Sequence, residues 1–192
     1  MAEKGDSGMS GGHGHGHGDH GGNKKIALLI SLLALVLAFS ETLGKSAQTA
    51  ALAYNIEASN LWAFFQAKTI RQTVLRTAAE EVAIGNTSPA AKDQVAKWKE
   101  TAQRYQNEPE TNKGHDQLAA RAKAAEKKRD KSMDQYHNFE SASAATQIAI
   151  VLASASIIAE MAVLAWIAGA LGVIGVIFCV IGVVHPIAIH LF

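Results

Sequence analysis

The chain has 192 residues and a formal net charge of +1, with 18 Lys and Arg against 17 Asp and Glu. This balance excludes a bulk electrostatic attraction to nucleic acid or to an acidic partner. A single cysteine, Cys179, excludes an intrachain disulfide. The polar residues are concentrated before Ile26 and between Lys45 and Glu140, so the remaining stretches are apolar enough to suggest membrane segments.

Residues 1–23 form a tail rich in glycine and histidine, which we expect to be disordered because it has too little apolar surface to bury. Neutral imidazoles on a flexible chain bind zinc, nickel or copper ions. No rigid element sets their geometry here, so we expect weak binding and no tightly held cofactor. The candidate metal ligands are His13, His15, His17 and His20.

Residues 24–44 are predicted to form a first transmembrane helix. Lys24 and Lys25 precede an apolar run that begins at Ile26. A cleavable signal peptide has a similar pattern. The run lacks a clear cleavage site of the small-x-small type, and helical patterning continues past Lys45. A retained anchor is therefore the favoured interpretation.

Residues 45–140 are predicted to form a water-exposed, antiparallel helical hairpin, called the stalk below. The first helix contains no proline and should end at Gly85 and Asn86, which suit a left-handed cap. Ser88 followed by Pro89 predicts the start of a second helix, with a serine N-cap and proline in the first turn. A third helix should begin near Asp116 and continue directly into the membrane.

Two neighbouring rows in the first stalk helix repeat every seven residues and form a heptad seam, which is typical of a helix-packing surface. Three aromatic residues lie beside it. They are predicted either to pack against a partner helix or to form a docking patch for another protein. The seam consists of Ile56, Ala63, Ile70 and Thr77 beside Ala53, Asn60, Ala67 and Val74, and the aromatic residues are Trp62, Phe64 and Phe65.

Residues 141–159 and 162–184 are predicted to be the second and third transmembrane helices, since each is long enough to cross a bilayer. Glu160 then lies in the turn between them. A membrane-buried Glu160 would instead indicate a proton or ion path. Small residues in the last helix allow close helix packing, notably Gly169, Gly172, Gly175 and Gly182. Residues 185–192 form a short C-terminal tail.

The predicted fold class is thus an all-α membrane protein, with three transmembrane helices and the stalk between the first and the second. Lys24 and Lys25 favour a cytoplasmic N-terminus, because basic residues flank spans on the cytoplasmic side. Residues 45–140 would then be periplasmic.

One stretch also resembles a known family. The segment EASNLWAFFQAKTIRQT, at positions 57–73, is similar to a family of uncharacterised bacterial membrane proteins, domain of unknown function 4337. The order of tail, anchor, helical middle and apolar C-terminal pair extends the resemblance from Lys24 to Val184. It implies a location in the bacterial inner membrane, and it brings no catalytic residues, substrate or cofactor.

The sequence contains no phosphate-binding loop, dinucleotide-binding glycine motif or HExxH zinc motif. We therefore predict a non-enzymatic, membrane-anchored helical scaffold or interaction subunit. Its partners would be the lipid bilayer and either another protein or a second copy of the chain, and not nucleic acid. The alternative is a metal-handling or small ion or proton transport protein that uses the histidine-rich tail.

Overall fold

Four α-helices make up nearly all of the part of the chain that the computed structural model describes, residues 20–108 and 110–184. This part contains no strand, which confirms the predicted all-α class. Three of the helices are each long and apolar enough to cross a membrane, namely α1, α3 and α4. The four are α1 (His20–Gly85), α2 (Pro89–Gln106), α3 (His115–Ala159) and α4 (Ala162–Val184).

Helix α1 runs without interruption for 66 residues, about 100 Å at 1.5 Å per residue. It contains no proline, and no glycine between Gly44 and Gly85, so no residue breaks its hydrogen-bonding pattern. In the apolar part, hydroxyl groups donate to carbonyl oxygens four residues earlier, which satisfies them without water. These bonds join Ser31 to Ala27, Ser40 to Val36 and Thr42 to Ala38.

The turn between α1 and α2 has the capping chemistry that the sequence predicts. Ser88 is the N-cap of α2, and its Oγ accepts a hydrogen bond from the backbone N–H of Ala91 at 3.3 Å. Pro89 is the first helical residue, where its missing N–H costs nothing. The connection is only three residues long, so α2 folds back beside the end of α1.

Helices α1 and α3 pack side by side and run in opposite directions. Contacts occur in reverse order along the two helices: Thr69 with His115, Trp62 with Glu126, and Glu41 with Gln147. The apolar cluster between them contains Ala58, Leu61, Leu118, Ala122 and Ala125. Because most of these side chains are alanines, the two helix axes can approach closely.

The heptad seam faces away from α3. Its larger members Ile56, Ile70 and Val74 are 53%, 64% and 60% exposed. A different row of α1 makes the contacts with α2 and α3. It includes two buried polar residues, Lys68 and Gln72, which a search for apolar side chains would not identify. This inner row is buried at Ala51, Ala58, Leu61, Lys68, Gln72 and Ala79.

Helix α4 packs against α3 and α1 through glycines, as predicted for close helix packing. A Cβ atom added at three of these glycines would lie within 2.9 Å of a neighbouring side chain, whereas Gly169 has nothing within 4 Å. The fourth predicted packing glycine therefore makes no such contact. The three contacts are Gly172 with Leu33, Gly175 with Thr146 and Gly182 with Phe139.

Glu160 connects α3 to α4 in the left-handed conformation, with φ 54° and ψ 26°. Its side chain is exposed. The acid therefore lies in the turn between the two apolar helices, where the lengths of the flanking segments predicted it.

Candidate interaction site

Two of the three predicted interaction aromatics face the inside of the helix pair. Trp62 and Phe65 pack against the apolar cluster between α1 and α3. Their rings meet edge to face, with centroids 5.2 Å apart, a favourable aromatic geometry. The indole Nε1–H of Trp62 donates to Glu126 Oε1 at 2.8 Å. These contacts correspond to the partner-helix interpretation, with α3 as the partner.

Phe64 is the one of the three aromatics that points outward, and its side chain is 39% exposed. It lines an open groove together with Ile56, Asn60 and, from the α3 side, Arg121. The groove therefore joins Phe64 to the exposed heptad seam. Of the predicted docking patch, only this residue is available to a partner.

A buried cation joins α1 to the segment that follows α2. Lys68 Nζ lies 2.7 Å from Glu108 Oε2, and the two side chains are 8% and 24% exposed. The ammonium group also lies 5.3 Å from the ring centroid of Tyr105 and 5.8 Å from that of Phe64. The carboxylate and the two π faces together compensate for removing this charge from water.

The hydrogen bond from Lys68 Nζ holds the pKa of the Glu108 carboxyl below its ordinary value of 4.5. Loss of hydration acts in the opposite direction, and the charge of Lys68 and a bond from Thr111 add to the lowering. The ionised form of Glu108 is therefore favoured in the folded protein.

Gln72 holds α2 against α1 by hydrogen bonds. Its Nε2 donates to the backbone carbonyl of Ala102 at 2.9 Å and to Gln106 Oε1 at 3.3 Å. Gln106 in turn donates to Asp116 Oδ1 at 3.0 Å. One chain of bonds thus connects α1, α2 and the start of α3.

His115, the first residue of α3, makes a further contact with α1. Its Nε2 lies 3.0 Å from Thr69 Oγ1, and its ring lies against Phe65 with 3.6 Å between centroids. Every buried polar side-chain atom in the described part of the chain has a hydrogen-bond partner. The polar groups where α2 ends and α3 begins therefore bind one another and fix the helices.

The polar residues Lys68, Gln72 and Glu108 were not predicted to act together. A signal for two of them exists in the sequence, because Lys68 and Gln72 lie four residues apart and continue the row that contains Ala58 and Leu61. Their partners Glu108 and Ala102 are at least thirty residues away, and spacing alone does not reveal such pairs.

The predicted metal ligands lie largely outside the described residues. This applies to His13, His15 and His17, and His20 is described only as the first residue of α1. Within residues 20–108 and 110–184, no three His, Cys, Asp or Glu side chains are grouped so that they could hold a metal ion.

Helix lengths, apolar surfaces and the paired polar groups define an all-helical protein with three helices able to cross a membrane. The family model described as Domain of unknown function (DUF4337) matches residues 22–185. The chain belongs to this family, which confirms the resemblance seen around residues 57–73. No curated protein and no solved structure matches the chain.

Proposed function

We propose that the protein is a non-enzymatic scaffold anchored in the bacterial inner membrane. Its stalk, residues 45–140, extends from the bilayer as an antiparallel helical hairpin and binds or positions another protein or a second copy of the chain. The N-terminus is cytoplasmic, following Lys24 and Lys25, and the stalk is periplasmic.

The observation that carries this proposal is the continuity of α1. One helix includes both an apolar stretch long enough to cross a membrane and about 40 further residues. Helix α3 has the two parts in the opposite order: its stalk residues come first, and its apolar part lies at the C-terminal end. Two continuous helices make a stiff connection, as expected of a spacer.

The polar cluster where α2 ends and α3 begins supports the same function. Lys68 and Gln72 are both hydrogen-bonded inside the fold, and they hold α2 in place. These buried polar groups thus stiffen the stalk. The outward-facing side of α1 is an apolar surface that includes Phe64 and Ile56. Such a surface suits protein binding.

The test is site-specific photo-cross-linking in native membranes, with the reactive group placed at Phe64 or at the control position Lys127 on the exposed face of α3. We expect Phe64 to give a cross-linked species of defined mass and near-stoichiometric yield, and Lys127 to give little. A protein that is monomeric after gentle extraction and cross-links at neither position would contradict the proposal.

A further inference from the structure

We propose that the heptad seam of α1 is the surface through which two copies of the chain associate, as a parallel two-stranded coiled coil. The inference rests on the proposed membrane anchoring and goes beyond it by naming the surface, the partner and the register.

The large apolar side chains that the stalk part of α1 exposes are confined to one side of the helix. Ile56, Ile70, Val74 and Ile84 lie on the repeat of the seam, and Leu52 and Phe64 lie directly beside it. The most exposed is Ile84, at 88%. Exposed apolar side chains that are grouped on one side of a helix mark an interaction surface.

The repeat of the seam is regular over the whole stalk part of α1. Steps of three and four residues continue from Ser46 to Ile84 and give twelve positions, all of them exposed. Only Glu81, near the far end, carries a charge. Between Ala53 and Val74, six of the seven positions are apolar, and this stretch of about three heptads is the length at which an apolar heptad repeat indicates a coiled coil.

The seam is distinct from the row of α1 that packs against α3, although its Ile56 and Asn60 border a groove that Arg121 of α3 also lines. The inner row of α1 follows the same spacing but lies about 160° around the helix, since successive residues turn by about 100°. Ala51 of the inner row and Ala53 of the seam illustrate the offset. A second helix can therefore cover the seam without displacing α3.

The bilayer determines how two copies would meet. Copies inserted with the same orientation present parallel α1 helices, so each seam residue faces its own counterpart. The six a positions are then Ser46, Ala53, Asn60, Ala67, Val74 and Glu81. A single asparagine at an a position is a known determinant of register and of the two-stranded state, because the two amides hydrogen-bond to each other.

The charges beside the seam are compatible with this self-pairing. In a parallel coiled coil each g residue approaches the next e residue of the other helix. None of these pairs joins two like charges, and the one like-charge contact within the seam of a dimer would be that of Glu81 with its counterpart near the far end. The pairs are Leu52 with Glu57, Ser59 with Phe64, Gln66 with Arg71, and Thr73 with Ala78. Phe64, exposed in the single chain, would be covered in the dimer.

The test uses single-cysteine variants of the full chain in native membranes, in a Cys179→Ser background. Ala53→Cys and Ala67→Cys place a thiol at a seam position, and Arg76→Cys places one on an exposed part of α1 away from the seam. We expect mild oxidation to convert both seam variants to disulfide-linked dimers of the chain. Arg76→Cys should give at least about tenfold less, as expected when the thiols do not face each other.

A second variant separates association from folding. Ile70→Glu, introduced with Ala67→Cys, should reduce the dimer yield at least tenfold, because it places two carboxylates in one apolar layer. Arg76→Glu is the matched control and should leave the yield unchanged. Both variants should retain the circular dichroism signal of the parent, since neither side chain is buried.

Two results of these experiments would overturn the proposed dimer. Equal dimer yields at the seam and at Arg76, or cross-links from the seam to a different protein only, would overturn the inference. In the second case the scaffold function would stand, because the stalk would still bind a partner. If the protein cross-links to nothing from either the seam or Phe64, both proposals fail.

Discussion

Gly175 of α4 and Thr146 of α3 are in contact at a point where a larger residue has no room. A Cβ atom at position 175 would lie 2.5 Å from Thr146 Oγ1 and 3.2 Å from the backbone oxygen of Ala142. Thr146 itself is fully buried, and its hydroxyl donates to that same carbonyl at 2.7 Å. The contact sets how closely the last two helices pack.

Replacing Gly175 should therefore weaken the packing of α4. We expect Gly175→Ala to destabilise the protein by about 1–3 kcal/mol, the usual range for overpacking. Gly169→Ala is the matched control, because nothing lies within 4 Å of its added Cβ. Thermal unfolding in detergent measures both, and equal midpoints for the two variants would show that the contact is unimportant.

The pair of Lys68 and Glu108 should make stability depend on acid pH. The pKa of the Glu108 carboxyl is lower in the folded state than in the unfolded state. The ionised carboxylate therefore contributes its full stabilisation of the fold at pH values above the unfolded pKa. That contribution disappears as the pH falls through the folded pKa. Glu108→Gln should therefore show a smaller loss of melting temperature between neutral pH and pH 3 than the parent.

Glu110→Gln serves as the control for that measurement, since this exposed residue belongs to the same connection between α2 and α3. It should leave the pH dependence close to that of the parent. A parent and a Glu108→Gln variant with parallel melting curves across this pH range would argue against a stabilising role for the ion pair.

Gly114 permits a close approach at the start of α3. An added Cβ would collide with the backbone nitrogen of Glu108 and with the amide oxygen of Gln117. Since backbone cannot move as easily as a side chain, Gly114→Ala should cost about 1–3 kcal/mol. Gly85→Ala, where the added atom meets nothing within 4 Å, should be neutral or slightly stabilising. Chemical denaturation of the two variants tests this, and similar values would contradict the observed fit.

The hydrogen bond from Trp62 to Glu126 should contribute measurably to the pairing of α1 and α3. Trp62→Phe keeps an aromatic ring but removes the donor, and we expect a loss of about 1 kcal/mol. Trp166→Phe is a suitable control because Trp166 is 81% exposed on α4. If Trp62→Phe lowers the free energy of unfolding no more than Trp166→Phe does, the hydrogen bond does not contribute to stability.

The start of α2 and the turn between α3 and α4 were predictable because local sequence signals set them, whereas α1 begins at His20, four residues before the predicted start. Ser88 and Pro89 identify the start of α2, and Glu160 lies where two segments of membrane-spanning length meet. Such signals depend on neighbouring residues only. The same holds for the apolar stretches, whose length and composition mark three candidate spans.

The face of α1 that contacts α3 was not predictable by the same reasoning. Both the seam and the inner row repeat every seven residues, and the seam contains the larger apolar side chains, such as Ile70 and Val74. The inner row is buried instead, because its alanines allow close packing and because Lys68 finds its partner forty residues away at Glu108. Burial of a charged residue depends on such distant partners, which a single sequence does not display.

In the proposed topology, the stalk and the Glu160 turn lie on opposite sides of a membrane. The most direct measurement is labelling with a membrane-impermeant maleimide, applied to Ile84→Cys and Glu160→Cys in a Cys179→Ser background. We predict that Ile84→Cys is labelled in intact spheroplasts and that Glu160→Cys is labelled only after permeabilisation. Labelling of both positions from the same side, or of Glu160→Cys from neither side, would contradict the account.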